Sequence, residues 1–214
     1  GTGVQVYRPG GARPGSAKLL QRAEAAGYSA VVFTIDAFAP GSSDAAMRLG
    51  FSFPPSLPLV NSGTAIFKKS LSWDDVKFIR DTTKLPLIIK GPLTADTAER
   101  SLKEGAAGLQ VSNHGGRQLD GVPAAVTVLP EIVKAVGQEV PVIMDSGIRR
   151  GSDVFKALAL GASAVALGRP VLYGLAPGGA KGVASVYGNP KRELERATLI
   201  AGVPSGDKTT RDCP

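Results

Sequence analysis

Short runs rich in valine and isoleucine recur along this chain, and each stops on a polar or charged side chain. Ser29 to Ile35 stops on Asp36, Leu85 to Ile89 on Lys90, Leu109 to Asn113 on His114, Val140 to Met144 on Asp145, and Ala162 to Gly168 on Arg169. Stretches with helical spacing of apolar residues separate these runs. Strands that are apolar on both faces and alternate with helices argue for a parallel sheet covered by helices. Right-handed crossovers gather the C-terminal ends of such strands on one rim. In a (β/α)8 barrel that rim carries the chemistry. A doubly wound sheet instead concentrates its ligand in one crevice, with a glycine-rich turn after its first strand. Here candidate residues follow almost every strand, so the fold class is read as α/β of the (β/α)8 TIM-barrel type.

The spacing predicts six strands, at residues 3–7, 29–35, 86–90, 108–112, 140–145 and 163–167. A closed barrel of this type has eight, so the barrel is expected to be incomplete. Helices are expected at 17–26, from Ser72 as N-cap to about Thr83, at 94–104, 127–137 and 151–160, with Gly27, Gly105 and Gly161 at three of their ends. Residues 37–70 lack periodicity and read as a long loop, either a lid over a site or an insertion. The barrel part is placed at 1–175. Residues 176–214 read as an irregular tail, in which Gly188-Asn189-Pro190 breaks the final helix.

The densest chemistry lies in Leu109-Gln110-Val111-Ser112-Asn113-His114-Gly115-Gly116-Arg117-Gln118-Leu119-Asp120. A buried strand stops on the only histidine of the chain. Two glycines follow, which allow close backbone approach or a positive φ. The imidazole can take or release a proton near neutral pH. Arg117 offers a planar fork suited to a carboxylate. Together they suggest removal of hydrogen from a small carboxylic acid. Residue types alone leave open a structural histidine followed by a plain turn. A second glycine loop, Gly147-Ile148-Arg149-Arg150-Gly151, precedes a helix, and Gly168-Arg169 ends the next strand. Backbone N–H groups in such places bind phosphate, and TIM barrels often build this site after strands seven and eight. A basic surface turn is the competing reading.

The string Ser112-Asn113-His114-Gly115-Gly116-Arg117-Gln118-Leu119-Asp120 closely resembles the signature of the FMN-dependent α-hydroxy acid oxidase and dehydrogenase family. Glycolate oxidase, lactate oxidase, lactate monooxygenase and the flavin domain of flavocytochrome b2 belong to it. The resemblance runs from about residue 3 to about residue 175 and covers the third to eighth barrel strands of that family. It implies FMN as cofactor and oxidation of a small (S)-2-hydroxy acid to a 2-oxo acid, with oxygen or another electron acceptor. By the same resemblance His114 is the base, Asp36 orients it, Arg117 grips the substrate carboxylate and Tyr7 contacts the substrate. Gln5 and Thr34 hydrogen-bond the flavin ring edge, and Lys90 sits near flavin N1 and O2. Asp145 bonds the ribityl chain, while Gly147, Arg149, Gly168 and Arg169 form the phosphate site.

The sequence departs from the family in two places. Members usually carry an arginine shortly after the residue matching Asp36, whereas Ser43 stands there in this chain. Loss of a buried charge-assisted contact costs about 1.5–3 kcal/mol. The family's N-terminal segment and first two strands have no counterpart, and the opening Gly1-Thr2-Gly3 reads as that of an incomplete chain. The alternative is therefore a truncated, inactive barrel that retains a phosphate- or FMN-binding region. A nucleotide-binding relative such as an IMP dehydrogenase-like barrel is disfavoured by the His-Gly-Gly-Arg string.

The formal charge of +7 suits an anionic ligand. The basic residues are dispersed, with no basic run interleaved with stacking aromatics, so nucleic acid is not expected as a partner. No apolar run approaches bilayer length, and no metal site is expected. A single cysteine, Cys213, and an ending without a Ser-Lys-Leu type signal suggest a cytoplasmic protein. An open arc of strands leaves sheet edges exposed, so a homo-oligomer is expected.

Overall fold

A computed structural model describes residues 3–7, 13–37, 47–50, 71–137 and 139–213, the first of these segments by its backbone alone. The strands are β1 (Gly3–Tyr7), β2 (Tyr28–Thr34), β3 (Leu87–Lys90), β4 (Gly108–Val111), β5 (Val142–Met144) and β6 (Ala164–Val165). The helices between and after them are α1 (Arg13–Ala25), α2 (Trp73–Thr82), α3 (Ala95–Lys103), α4 (Ala125–Val136), α5 (Gly151–Ala159) and α6 (Arg169–Ile200). The strands form one six-stranded sheet in the order β1-β2-β3-β4-β5-β6, with every pairing parallel. This is the arc of an incomplete (β/α)8 barrel. All six expected strands are present.

Strand periodicity divides the sheet into two faces. Phe33, Ile89, Leu109 and Val142 are register neighbours, and each is at most 2% exposed. They pack with Leu20 of α1, Ile79 of α2, Ala98 of α3 and Leu129 and Ile132 of α4 in a single core. Fully burying one such side chain is worth about 1.5–3 kcal/mol. The other face carries Thr34, Lys90, Gln110, Ile143 and Ala164, again register neighbours. Of these, Lys90, Gln110 and Ile143 are only half-buried, as expected where the arc leaves its inner face open.

Local signals set the helix starts. Ser72 precedes α2, and its N–H donates to Asp75 Oδ2 at 2.9 Å, so the acidic first turn closes the helix N-terminus. Thr94 caps α3 by accepting from the Thr97 N–H. The loop expected at 37–70 falls, apart from Ala37 and residues 47–50, outside the described residues, and Ser43 with it.

The C-terminal region differs from expectation. Residues 180–200 are helical, and the chain remains helical through Gly188-Asn189-Pro190. Pro190 is itself buried, and the segment is held against α5. There the Gly151 N–H donates to Glu193 Oε2 at 2.8 Å, and Arg150 Nε lies 3.9 Å from Glu193 Oε1. Packing along this helix outweighs the one backbone bond that proline cannot make. The break falls earlier, at Gly179, with φ +51° and ψ −139°. The arms on either side of it cross where a Cβ on Gly174 would meet the Gly182 carbonyl oxygen at 2.7 Å.

Candidate active site

Three strand ends meet at one imidazole. His114 Nδ1 lies 3.1 Å from both Oδ1 and Oδ2 of Asp36, beyond the end of β2. Lys90 Nζ, at the end of β3, lies 3.2 Å from the same nitrogen. Both side chains of the His114–Asp36 pair are largely buried, at 18% and 15% exposure. The Asp36 carboxylate only accepts and the Lys90 ammonium only donates, so the two compete for Nδ1. The two closer carboxylate oxygens favour a proton on Nδ1, which leaves Lys90 beside the ring as a charge and not as a donor to it. That tautomer puts the basic lone pair on Nε2.

The turn that presents His114 is strained and pinned. His114 takes φ +59°, unusual for a residue with a side chain. Its N–H donates to Ser112 Oγ at 3.0 Å. The Gly115 N–H donates to Ser146 Oγ at 3.0 Å, and the Gly115 carbonyl accepts from Arg169 Nη2 at 2.7 Å. Gly115 itself takes φ +66°, which disfavours a side chain, and a Cβ there would stand 2.7 Å from Arg169 Nη2 and displace that guanidinium. Gly91 is equally constrained: at φ +111°, a Cβ there would lie 2.8 Å from Asp36 Cβ and Cγ.

A cavity of about 400 Å³ opens beside this turn. Lys90, His114, Arg117, Asp145, Gly147, Arg149, Gly168 and Arg169 all line it, so the imidazole and the two arginine-bearing glycine loops share one rim. The Asp145 carboxylate accepts from Gln110 Nε2 at 2.5 Å and from Ser146 Oγ at 2.6 Å. Arg117, Arg149 and Arg169 are exposed and bring positive charge to the opening. Thr34 lies on the inner face, two residues beyond Val32, which lines the cavity. The registers set Gln5 level with Val31 and Tyr7 level with Phe33; the side chains of both lie outside the described residues.

Three participants escape sequence reasoning: Gly91, Gln110 and Ser146. The only signal for Ser146 is its place between Asp145 and Gly147, just before a loop already singled out. Gln110 reads as an ordinary strand residue. Gly91 follows Lys90 directly, and only its fit against Asp36 reveals its part.

A parallel β/α arc with a histidine–carboxylate pair and three arginines around one cavity defines part of a β/α barrel whose site suits an anionic ligand. Comparison with known proteins makes this specific. The profile of the family described as FMN-dependent dehydrogenase matches residues 2–213. A peroxisomal (S)-2-hydroxyacid oxidase of Arabidopsis thaliana is 42% identical over 225 residues, covering 98% of this chain and 61% of that protein. 2-Hydroxyacid oxidase 1 of Mus musculus is 43% identical, covering 87% of this chain and 56% of its own. Among solved structures, a mandelate oxidase variant with benzaldehyde superposes with a TM-score of 0.92 at 40% identity, over 99% of this chain and 62% of that one. This chain belongs to the FMN-dependent dehydrogenase family, whose cofactor is FMN. It spans about 60% of the length of the relatives it matches.

The residues present fit that cofactor. The Thr34 hydroxyl is 1% exposed and finds no hydrogen-bond partner among the described residues, as expected of a group that bonds a ligand. Gly147 and Gly168 have open space where a Cβ would stand, so a phosphate can approach their backbone. The cations around the opening supply the complementary charge.

Proposed function

We propose that this chain forms the FMN- and substrate-facing part of an oxidase that converts a small (S)-2-hydroxy acid to a 2-oxo acid. The observation that carries the reading is the His114–Asp36 pair standing on the same cavity as Arg117, Arg149 and Arg169. Gly147, Arg149, Gly168 and Arg169 would hold the FMN phosphate, Asp145 the ribityl chain, and Thr34 the ring edge. FMN supplies the acceptor for the two electrons that leave the substrate.

The chain's own groups do the rest. Arg117 grips the carboxylate through its planar fork. His114 Nε2 takes a proton from the substrate, and Asp36 stabilises the imidazolium that results. Lys90 would supply a fixed positive charge to the flavin ring near N1 and O2, where negative charge develops on reduction. Oxygen or another electron acceptor completes the turnover. The lone Cys213 fits a cytoplasmic location, which cell fractionation would test. Self-association fits the exposed Leu172, Tyr173, Leu199 and Ile200 of α6, which are 59–80% exposed. Among the described residues, no helix is long and apolar enough to cross a membrane.

The test is spectroscopic. Purified protein loaded with FMN should bleach under anaerobic lactate, glycolate or mandelate and recover its absorbance in air. Flavin-loaded protein that never bleaches supports a second reading, a barrel part that binds FMN without turning over substrate. The open inner face of the sheet favours that second reading.

A further inference from the structure

Gly115 is the hinge between the two halves of the site. Its N–H is held by Ser146 from the end of β5, and its carbonyl by Arg169 from the start of α6. Ser146 takes φ +73°, a conformation that is costly for any residue with a Cβ. At such a position glycine relieves strain, so a serine there is expected to compensate through its hydroxyl. It has the bonds to do so. The same oxygen accepts from Gly115 and donates to Asp145 Oδ1 at 2.6 Å, while Asp145 Oδ2 is held by Gln110 of β4. A line of hydrogen bonds thus runs from Gln110 through Asp145 and Ser146 to the peptide that follows His114. His114 is itself held at positive φ, a conformation it does not favour unaided.

We propose that Ser146 is a positioning residue for the imidazole. Its hydroxyl, with Arg169 on the opposite side, clamps the Gly115 peptide, so that the strained turn holds His114 Nδ1 on the Asp36 carboxylate. The proposal rests on the reading of His114 as the base. Ser146 also lines the cavity, and in this role it acts through the backbone of the turn. The clamp also joins the loop that carries Arg149 to the loop that carries the histidine.

The single histidine makes the test direct. ¹⁵N chemical shifts of the imidazole, measured on the full chain at a pH where the ring is neutral, report its tautomer without assignment ambiguity. Wild type should be mainly Nδ1–H. Ser146→Ala and Ser146→Gly should each at least double the share of the Nε2–H form. Ser146→Gly is the decisive variant, because glycine accepts positive φ and keeps the loop folded, with a urea midpoint at or above that of wild type. In FMN-loaded protein both variants should lower kcat more than they raise KM. A folded Ser146→Gly protein with the wild-type tautomer ratio would overturn the positioning role alone. Wild-type protein that is mainly Nε2–H would end the base reading, and this proposal with it.

Discussion

His114 Nδ1 stands 3.1 Å from each carboxylate oxygen of Asp36, a residue 78 positions earlier in the chain. Two strand ends that are distant in sequence are thereby joined at one nitrogen; in the function proposed above, the ring's other nitrogen is the base. Replacing His114 with Gln removes that base. General base catalysis contributes about 10²–10⁴-fold, so substrate-driven bleaching of the flavin should slow by that order while flavin absorbance is retained. Stopped-flow spectra of wild type and variant, mixed anaerobically with the same hydroxy acid, check it.

Gly91→Ala should disturb the pair without touching either member. The new methyl group would enter the space of Asp36 Cβ and Cγ, and φ +111° disfavours any side chain at that position. Strain of this kind costs about 1–3 kcal/mol. Urea unfolding should show the loss, and the His114 imidazole signal should shift in the protein that remains folded.

At the crossing of the two α6 arms, Gly182→Ala would press a methyl group into the Gly174 carbonyl oxygen. Backbone cannot yield there as a flexible side chain would. Overpacking typically costs about 1–3 kcal/mol, so thermal melts should fall, with the loss concentrated in the C-terminal helix. Hydrogen exchange of α6 amides, compared with those of β3 and β4, would localise it.

Stability should also carry a local acid dependence. The Glu24 carboxylate accepts from Thr83 Oγ1 at 2.5 Å and from the Lys84 N–H at 2.6 Å, tying α1 to the segment before β3. The Thr83 hydroxyl first, and then the Lys84 N–H, hold Glu24 below its ordinary value. A carboxyl group that is more acidic when folded adds stability above its unfolded pKa and loses it as pH falls through the folded one. Wild type should therefore be more stable than Glu24→Gln at neutral pH, and the gap should close in acid. Urea midpoints of both proteins from pH 7 down to pH 3 measure the gap.

Much of the fold can be read from the chain because its strands are short, apolar and ended by distinctive residues. Asp36, Lys90, His114, Asp145 and Arg169 mark strand ends in the sequence, and topology alone gathers them on one rim. Ser146 is not legible in this way. A serine after an aspartate is common in loops, and its meaning lies in a positive φ and a bond to a residue 31 positions away. The long α6 helix is also hidden. Gly188-Asn189-Pro190 reads as a helix break, yet the residue that leaves the helical region is Gly179. Packing against α5 decides the matter at Pro190, and local propensity carries no trace of that packing.

Strand order across the sheet equals strand order along the chain. Each new strand leaving the ribosome therefore finds its partner already made, in the unit synthesised just before it. The arc can grow outward one β/α step at a time, never waiting for a distant segment to arrive. A stalled or slowed ribosome would then leave a shorter sheet of native register rather than a tangle of mispaired strands.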